Sequence, residues 1–357
     1  MPRQRVLYAS QALFVGPSPS TGSNCTPMNT RQIMRVQSVS YDFNAKRENV
    51  LQLGTLAPID QVILTAPTVN LNFNYILTNA WNESGLGLVS NGSSSIISSI
   101  NDGTQDDKNY FVQIAPYGDD AAAYTGIDSF VVGFGNGFLS SYSVEAAVGA
   151  FPTASCKVEA LNIAVYSGTS GQFVPAINPT DGSDITGFTF VLPEAQSGLA
   201  GQVSALRPGD ITLSLGTLPF GVLLSDAKIQ RFTLGVELAR EEQNKLGSKF
   251  PVSRLVRFPL TATLSIEAQV GDLTTGSLST LFCNDQDYNL TVTLNQPACP
   301  GVTGAVAAQY TLMGAKMDGQ NFNTTIGPNE TVTVNWTALI GSAQQTGVGL
   351  FLSGAQL

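Results

Sequence analysis

Paired carboxylates are the side chains in this sequence whose type and spacing come nearest to chemistry. Three such groups occur in polar stretches: Asp106-Asp107, Asp119-Asp120, and Asp285 with Asp287. Oxygen ligands of this kind bind Ca²⁺, but the ligand spacing of an EF-hand loop is missing. Neighbouring acidic residues in polar loops are usually solvated. We therefore interpret all three groups as exposed loop residues.

Other catalytic and metal-binding patterns are missing. The sequence has no histidine, which removes the commonest general base and metal ligand. The glycine-rich segment 133–137 lacks the third glycine and the lysine of a phosphate-binding loop, so it predicts a turn. Cys25, Cys156, Cys283 and Cys299 lack CxxC spacing, which favours reduced, mostly buried thiols; a bridge between Cys283 and Cys299 across a hairpin is the alternative. We expect no enzymatic activity, no cofactor and no metal.

The composition restricts the partners. The 357 residues carry 17 basic and 26 acidic side chains, for a net charge of −9, and only 12% are charged, where about 25% is usual. An acidic balance argues against wrapping nucleic acid, but it suits a surface that nucleic acid must pass without adhering. No apolar run approaches the roughly 18–20 residues that span a bilayer. Gln11 and the early Pro and Gly residues argue against a signal peptide.

The elements that organise the chain are two long strands and the charged tip between them, in residues 36–77. Apolar and polar residues alternate along both strands, which is the pattern of half-buried strands. Residues 228–270 repeat this stretch at an offset of 193 with no gap, and the alternation stays in phase. The identical positions include Gln37/Gln230, Arg47/Arg240, Glu48/Glu241, Leu53/Leu246, Gly54/Gly247 and Pro58/Pro251.

A second unit is also repeated, with less identity. Residues 316–340 match 138–162 at an offset of 178. Short strands with turn signals and little helix predict an all-β fold of two tandem β-sandwich or barrel domains, related by internal duplication, each with at most one short helix. The predicted segments are an N-terminal arm (1–32), a first domain (33–166), a connector with strands that complete the second unit (167–226), a second domain (227–341) and a C-terminal tail (342–357).

Both hairpin tips carry patterned charge and apolar residues. Mixed charge at the same register favours an interface over a solvated loop, because it fixes the orientation of a partner, and apolar loop residues are expected where a neighbour covers them. The predicted interface residues are Arg47, Glu48, Leu51, Leu53 and Leu56 in the first tip and Arg240, Glu241, Leu246, Phe250 and Val252 in the second.

At these residues the chain resembles the major tail tube proteins of long-tailed bacteriophages. The features that carry the resemblance are the strands 36–45 and 62–77, the tip KRENVLQLGTLAPID and the unit GFLSSYSVEAAVGAFPTASCKVEALNI. The similarity is one of layout over roughly 33–166 and 227–341. It differs from the simplest members in having two copies.

The resemblance implies tail-tube-like domains whose sheets join edge to edge in a ring around a channel. Rings then stack into a tube, and the tips would form the inter-ring interface. Two units per chain imply a homotrimeric, pseudo-hexameric ring. The implied partners are further copies of the chain, the tail terminator, tape measure and baseplate or tip proteins, and viral DNA passing without specific binding. The implied location is the virion tail, after assembly in the host cytoplasm.

Two other classes of protein remain open at this point. Another virion structural protein, such as a capsid decoration or head–tail joining protein, would share the β-rich, low-charge composition. A secreted carbohydrate-active enzyme or lectin would share the sandwich fold. The missing signal peptide and the low aromatic content of 8%, with only Trp81 and Trp336, weigh against the secreted class.

Overall fold

A computed structural model describes residues 10–18, 28–104, 106–121, 126, 128–193, 206–216, 218, 221–224, 227–275, 277–281, 285–299, 302–324, 330–342 and 344–354. The fold is all-β, as predicted. Its strands are β1 (Gln11–Pro17), β2 (Met28–Asn29), β3 (Arg31–Gln32), β4 (Val36–Asn44), β5 (Arg47–Val50), β6 (Asp60–Ile63), β7 (Thr68–Ile76), β8 (Asn91–Ser95), β9 (Asp107–Ile114), β10 (Phe130–Ala147), β11 (Thr153–Ala160), β12 (Asn162–Ser167), β13 (Ser170–Phe173), β14 (Thr189–Val191), β15 (Ile211–Ser214), β16 (Gly221–Val222), β17 (Lys228–Glu237), β18 (Arg240–Gln243), β19 (Ser253–Val256), β20 (Leu260–Gln269), β21 (Leu273–Thr274), β22 (Tyr288–Asn295), β23 (Val306–Asn323), β24 (Thr331–Ile340) and β25 (Gly349–Gly354).

Helix is scarce and confined to short segments. These are α1 (Trp81–Gly85), α2 (Ser98–Asn101), α3 (Leu278–Leu281) and a 3-10 turn at Pro208–Asp210. The expectation of at most one short helix per unit is wrong for the first, which holds both α1 and α2. The chain between α1 and α2 is not helical, because Gly87 and Gly92 adopt positive φ, a conformation that ends a helix.

One sheet contains eight antiparallel strands, four from each of the two matched segments. Its order is β4-β7-β11-β10-β17-β20-β24-β23, and β10 joins β17 in the middle. The strands β10 and β23 are 18 residues long and continue into a second layer. There β10 pairs with β9 and β12, and β23 pairs with β22 and β25. The two layers pack on each other around a common apolar core.

The two hairpins have the same register under the offset of 193. Val39 lies opposite Phe73 in the first, and Phe232 lies opposite Ile266 in the second. Each pair of strands also has one irregularity, between 36 and 38 and between 229 and 231. The short strands at the tips, β5 with β6 and β18 with β19, pair at the same offset.

The second strand pairs match under the offset of 178. Leu139 lies opposite Val158, and Met317 lies opposite Trp336. A bulge follows at the next residue in both, which bends each long strand from one layer into the other. The outer strands β1, β9 and β12 correspond to β15, β22 and β25 at offsets of 200, 180 and 187.

The first part of the connector packs on the first matched segment, whereas its strands β15 and β16 pair with β22 and β21 of the second. Strands β13 and β14 pair with each other, and β14 also pairs with β2. Phe190 of β14 stacks within 4.5 Å of Phe111 of β9, measured between ring centroids. These residues form a smaller apolar cluster apart from the main core.

Candidate assembly interface

The two end strands of the large sheet lack a neighbour that their counterparts have. Within the chain, β17 pairs with the C-terminal half of β10, from Ser141 opposite Glu237 to Ala147 opposite Arg231. Strand β4 corresponds to β17 under the offset of 193, and the C-terminal half of β23 corresponds to that of β10 under the offset of 178. Among the described residues, neither has a strand on its outer side. An open strand edge is a template for pairing with another chain.

Burial differs accordingly between matched residues. Leu234 and Val236 lie on β17, which β10 flanks, and both are buried. Tyr41 and Phe43, at the corresponding positions of β4, are 42% and 67% exposed. On the other edge, Phe322 of β23 is 42% exposed where Val144 of β10 is buried. Exposed aromatic residues along an unpaired strand are typical of a surface that a partner covers.

The face of the large sheet that points away from the core is polar. Along its strands Ser, Thr and Asn alternate with the buried apolar residues. The charged side chains on this face are Asp42, Glu145, Glu159, Glu237, Glu267 and Asp318, against Lys157, Lys228, Arg231 and Lys316. Acidic groups outnumber basic ones, so the face repels phosphate.

The two hairpin arginines have different surroundings. Arg240 is 3% exposed; its Nη1 lies 2.6 Å from Oδ1 of Asp106, and its Nε donates to the carbonyl of Leu139 at 3.1 Å. Arg47, at the same register, is exposed, as is Glu48, which pairs with Lys46 at 2.9 Å. The guanidinium of Arg240 thus binds its own chain, and its role as an inter-ring contact stays a prediction.

The remaining predicted tip residues are mostly on the surface. Leu53, Leu56 and Leu246 are fully exposed, and Leu51, Val252 and Glu241 are exposed as well. Phe250 differs: its ring is half-buried against Gly182, and its N–H donates to the carbonyl of Pro179 at 3.1 Å. The connector thus covers part of the second tip. The apolar residues of the first tip are exposed.

A buried glutamate lies where the two matched segments meet. Oε1 of Glu83 accepts hydrogen bonds from the hydroxyls of Tyr75 at 2.7 Å and Tyr142 at 3.1 Å. The Tyr142 hydroxyl is 2.8 Å from that of Tyr310 on β23, so the cluster joins both halves of the chain. Burial raises the pKa of Glu83, although the phenol hydroxyls oppose this shift.

Glu83→Gln should change the dependence of stability on pH. A carboxyl whose pKa is raised by folding contributes stability that is fully present below its unfolded value and is lost as pH rises through the folded value. The unmutated chain should lose this stability between pH 4 and pH 8, and the variant should not. We therefore expect the free energy of unfolding of the variant, minus that of the unmutated chain, to increase over this range. Denaturant titrations across this range measure it, with Glu48→Gln on the exposed hairpin as control. Parallel curves for Glu83→Gln and the unmutated chain would contradict the expectation.

The acidic pairs singled out in the sequence are not equivalent. Asp285 and Asp287 are exposed and pair with Nζ of Lys316 at 3.0 and 2.8 Å. Asp106 is instead half-buried with Arg240, and Asp107 is buried in β9.

Among the described residues, no group of three His, Cys, Asp or Glu side chains is arranged to hold a metal ion. No helix in the described part of the chain is long and apolar enough to cross a bilayer.

Among the thiols, Cys156 is buried and Cys299 is exposed, and both are free. Cys25 and Cys283 lie outside the described residues. The predicted burial is thus found for Cys156 and not for Cys299. Burial raises the pKa of Cys156 well above its ordinary value, which makes the thiol unreactive.

Comparison with known proteins yields little. No protein-family model and no curated protein matches the sequence. Among solved structures, a chain of the six-fold symmetrised cryo-EM structure of the anti-feeding prophage baseplate is similar over 41% of this chain and 93% of that chain. The identity is 12% and the TM-score is 0.24. So low a TM-score gives no basis for transferring a function.

Proposed function

We propose that this protein is the structural subunit of a bacteriophage tail tube, and that three copies close into a ring. The observation that carries the proposal is the pairing of β10 with β17 inside the chain. The matched edges, β23 and β4, are open and would repeat this pairing between chains. The resemblance to tail tube proteins supplies the biological setting.

The offsets predict the register of the inter-chain pair. Adding 178 to the β10 positions and subtracting 193 from the β17 positions converts the pairs Ser141–Glu237 and Val144–Leu234. The corresponding inter-chain pairs are Gly319–Asn44 and Phe322–Tyr41. We also infer from the shared registers that the two segments arose by internal duplication.

Three chains suffice because each supplies two equivalent segments. If every junction has the geometry of the β10–β17 junction, the sheet closes as a ring of identical contacts and has no free edge. Pseudo-six-fold symmetry then follows from two segments in each of three chains. A chain with one such segment would need six copies for the same ring.

The polar face of the sheet would line the channel. It carries six acidic and four basic side chains per chain on the described strands. A wall of net negative charge does not bind phosphates, so DNA would slide through it without adhering. The tail terminator, tape measure and tip proteins are proposed as further partners because the resemblance to tail tube proteins implies them. The absence of enzymatic activity is also proposed on this basis.

Electron microscopy of the purified protein tests the proposal. We expect rings or stacked tubes with a central channel and a mass of three chains per ring. Six chains per ring would refute the trimer and leave the tube. Single chains at high concentration, or particles without a channel, would contradict the ring and favour the alternative of a decoration or joining protein.

A further inference from the structure

The base of the second hairpin shows how a hairpin docks on the segment beside it. The Arg240 guanidinium reaches across to Asp106, and it also lies 5.0 Å from the ring centroid of Phe138. Nearby, the buried guanidinium of Arg254 on β19 contacts Glu159 of β11 at 3.5 Å and Glu242 at 2.8 Å. All contacts except the last join the hairpin to the first segment.

The first hairpin has the same strand pairing, but no other described strand lies beside it. Ile63 is 43% exposed, whereas Val256 at the same register packs against the main core. Arg47 has the position of Arg240 in the strand pairing, opposite Ile63. In the ring proposed above, the segment beside this hairpin belongs to the next copy of the chain.

The offsets identify the residues of the adjacent chain that would lie beside Arg47. Leu139, whose carbonyl accepts from Arg240, corresponds to Met317. The position of Asp106 corresponds to 286, between Asp285 and Asp287. Both carboxylates are exposed and share the single ammonium of Lys316, which leaves one uncompensated negative charge.

We propose that Arg47 of one chain docks on the Asp285–Asp287 loop of the adjacent chain, as Arg240 docks on Asp106 within the chain. This inference rests on the proposed ring. The occupant of the site is a second copy of this protein. Arg47 brings the one positive charge that balances the two carboxylates and Lys316, and a guanidinium forms two directed hydrogen bonds to carboxylate oxygens.

Exchanging the charges at this contact tests the docking of Arg47 separately from the formation of the ring. Arg47→Glu should weaken each inter-chain contact about tenfold, as should Asp287→Lys, since close interfacial charge pairs couple by about 1.5 kcal/mol or more. The ring has three such contacts, so the dissociation constant of the trimer into monomers should rise about a thousandfold. Combining the two substitutions reverses the net charge on both sides of the contact and should restore each contact to within about threefold of the unmutated chain. Lys245→Glu, which makes the same charge change on the exposed second tip, is the control. Sedimentation over a dilution series at low salt measures each constant, and melting temperatures check that the variants fold.

The outcomes are distinguishable. If the unmutated chain and the Arg47→Glu variant form trimers with the same dissociation constant, the docking contact is overturned and the proposed ring stands. Weakening by Arg47→Glu that the double variant Arg47→Glu with Asp287→Lys does not relieve also overturns the docking on the Asp285–Asp287 loop. An unmutated chain that stays monomeric at all concentrations overturns the ring, and the docking contact with it.

Discussion

Phe43→Pro should give a folded protein that no longer forms rings. Inside the chain, Leu238 N–H donates to Ser140 and Val148 N–H donates to Gln230, which bracket the β10–β17 ladder. Alternate β17 residues, Val236 among them, therefore point their N–H groups at β10. Phe43 has the register of Val236, so its N–H points away from β7 and toward the next chain. Proline there leaves the β4–β7 ladder intact.

The expected effect is large because the substitution acts at every junction. Each ring would lose one hydrogen bond per interface, worth about 0.5–1.5 kcal/mol, and the proline ring would also obstruct close approach of the neighbouring strand. We expect trimers to give way to monomers with little change in melting temperature of the monomer. Size-exclusion chromatography with light scattering measures the shift.

Phe322→Pro tests the opposite edge by the same reasoning, since Phe322 has the register of Val144. The matched controls are Phe43→Ala and Phe322→Ala, which remove the side chain and keep the N–H. The alanine variants should retain more association than their proline partners. Equal trimers from both proline variants would show that these edges do not meet.

Leu53→Asp should give rings that do not stack. Leu53 and Leu56 are fully exposed at the end of the first hairpin, where the described part of the chain has nothing to cover them. Burying one leucine against a neighbour is worth about 1.5–3 kcal/mol, and a carboxylate in its place must be desolvated as well. Each chain carries one copy of the first tip, so three of these contacts per ring are lost together.

The control for this variant is Gln52→Asp, which adds the same charge to the same exposed loop without removing an apolar group. Electron microscopy should show long tubes for Gln52→Asp and isolated rings for Leu53→Asp. Tubes of normal length from Leu53→Asp would mean that the first tip is not the stacking surface. Phe250→Asp is a poorer probe, because it would disturb the contact between the second tip and the connector.

Much of the fold follows from the alternation of apolar and polar residues. That alternation predicts β4, β7, β17 and β20, and the ungapped offset predicts the register that the two strand pairs share. A period of two fixes which face a residue occupies. It does not say which strand lies beside an edge. The pairing of β10 with β17 was therefore not predicted, although it shapes the whole sheet.

The candidate interface was predicted less well, for the same reason. Arg47 and Arg240 occupy identical local sequences, yet one is exposed and the other is buried with Asp106. Only the neighbouring segment makes this difference, and it is distant in sequence. Glu83 was also missed, because it lies in a polar stretch that reads as a loop. Its burial depends on tyrosines from β7, β10 and β23.

Disulfide trapping across the predicted inter-chain register tests the central claim most directly. Ser40 and Asn323 correspond to Thr233 and Glu145, which lie opposite each other in the β10–β17 ladder. This is a non-hydrogen-bonded pair, with a Cα separation of about 4.5 Å that a disulfide can span. Cysteines at 40 and 323 should form cross-linked dimers and trimers on non-reducing gels, and no larger species. Cysteines at 40 and 321, two residues out of register, should link much less, and the unmutated chain reports the background from its own thiols. Equal linking by both pairs, or none by either, would contradict the closure of the ring through β4 and β23.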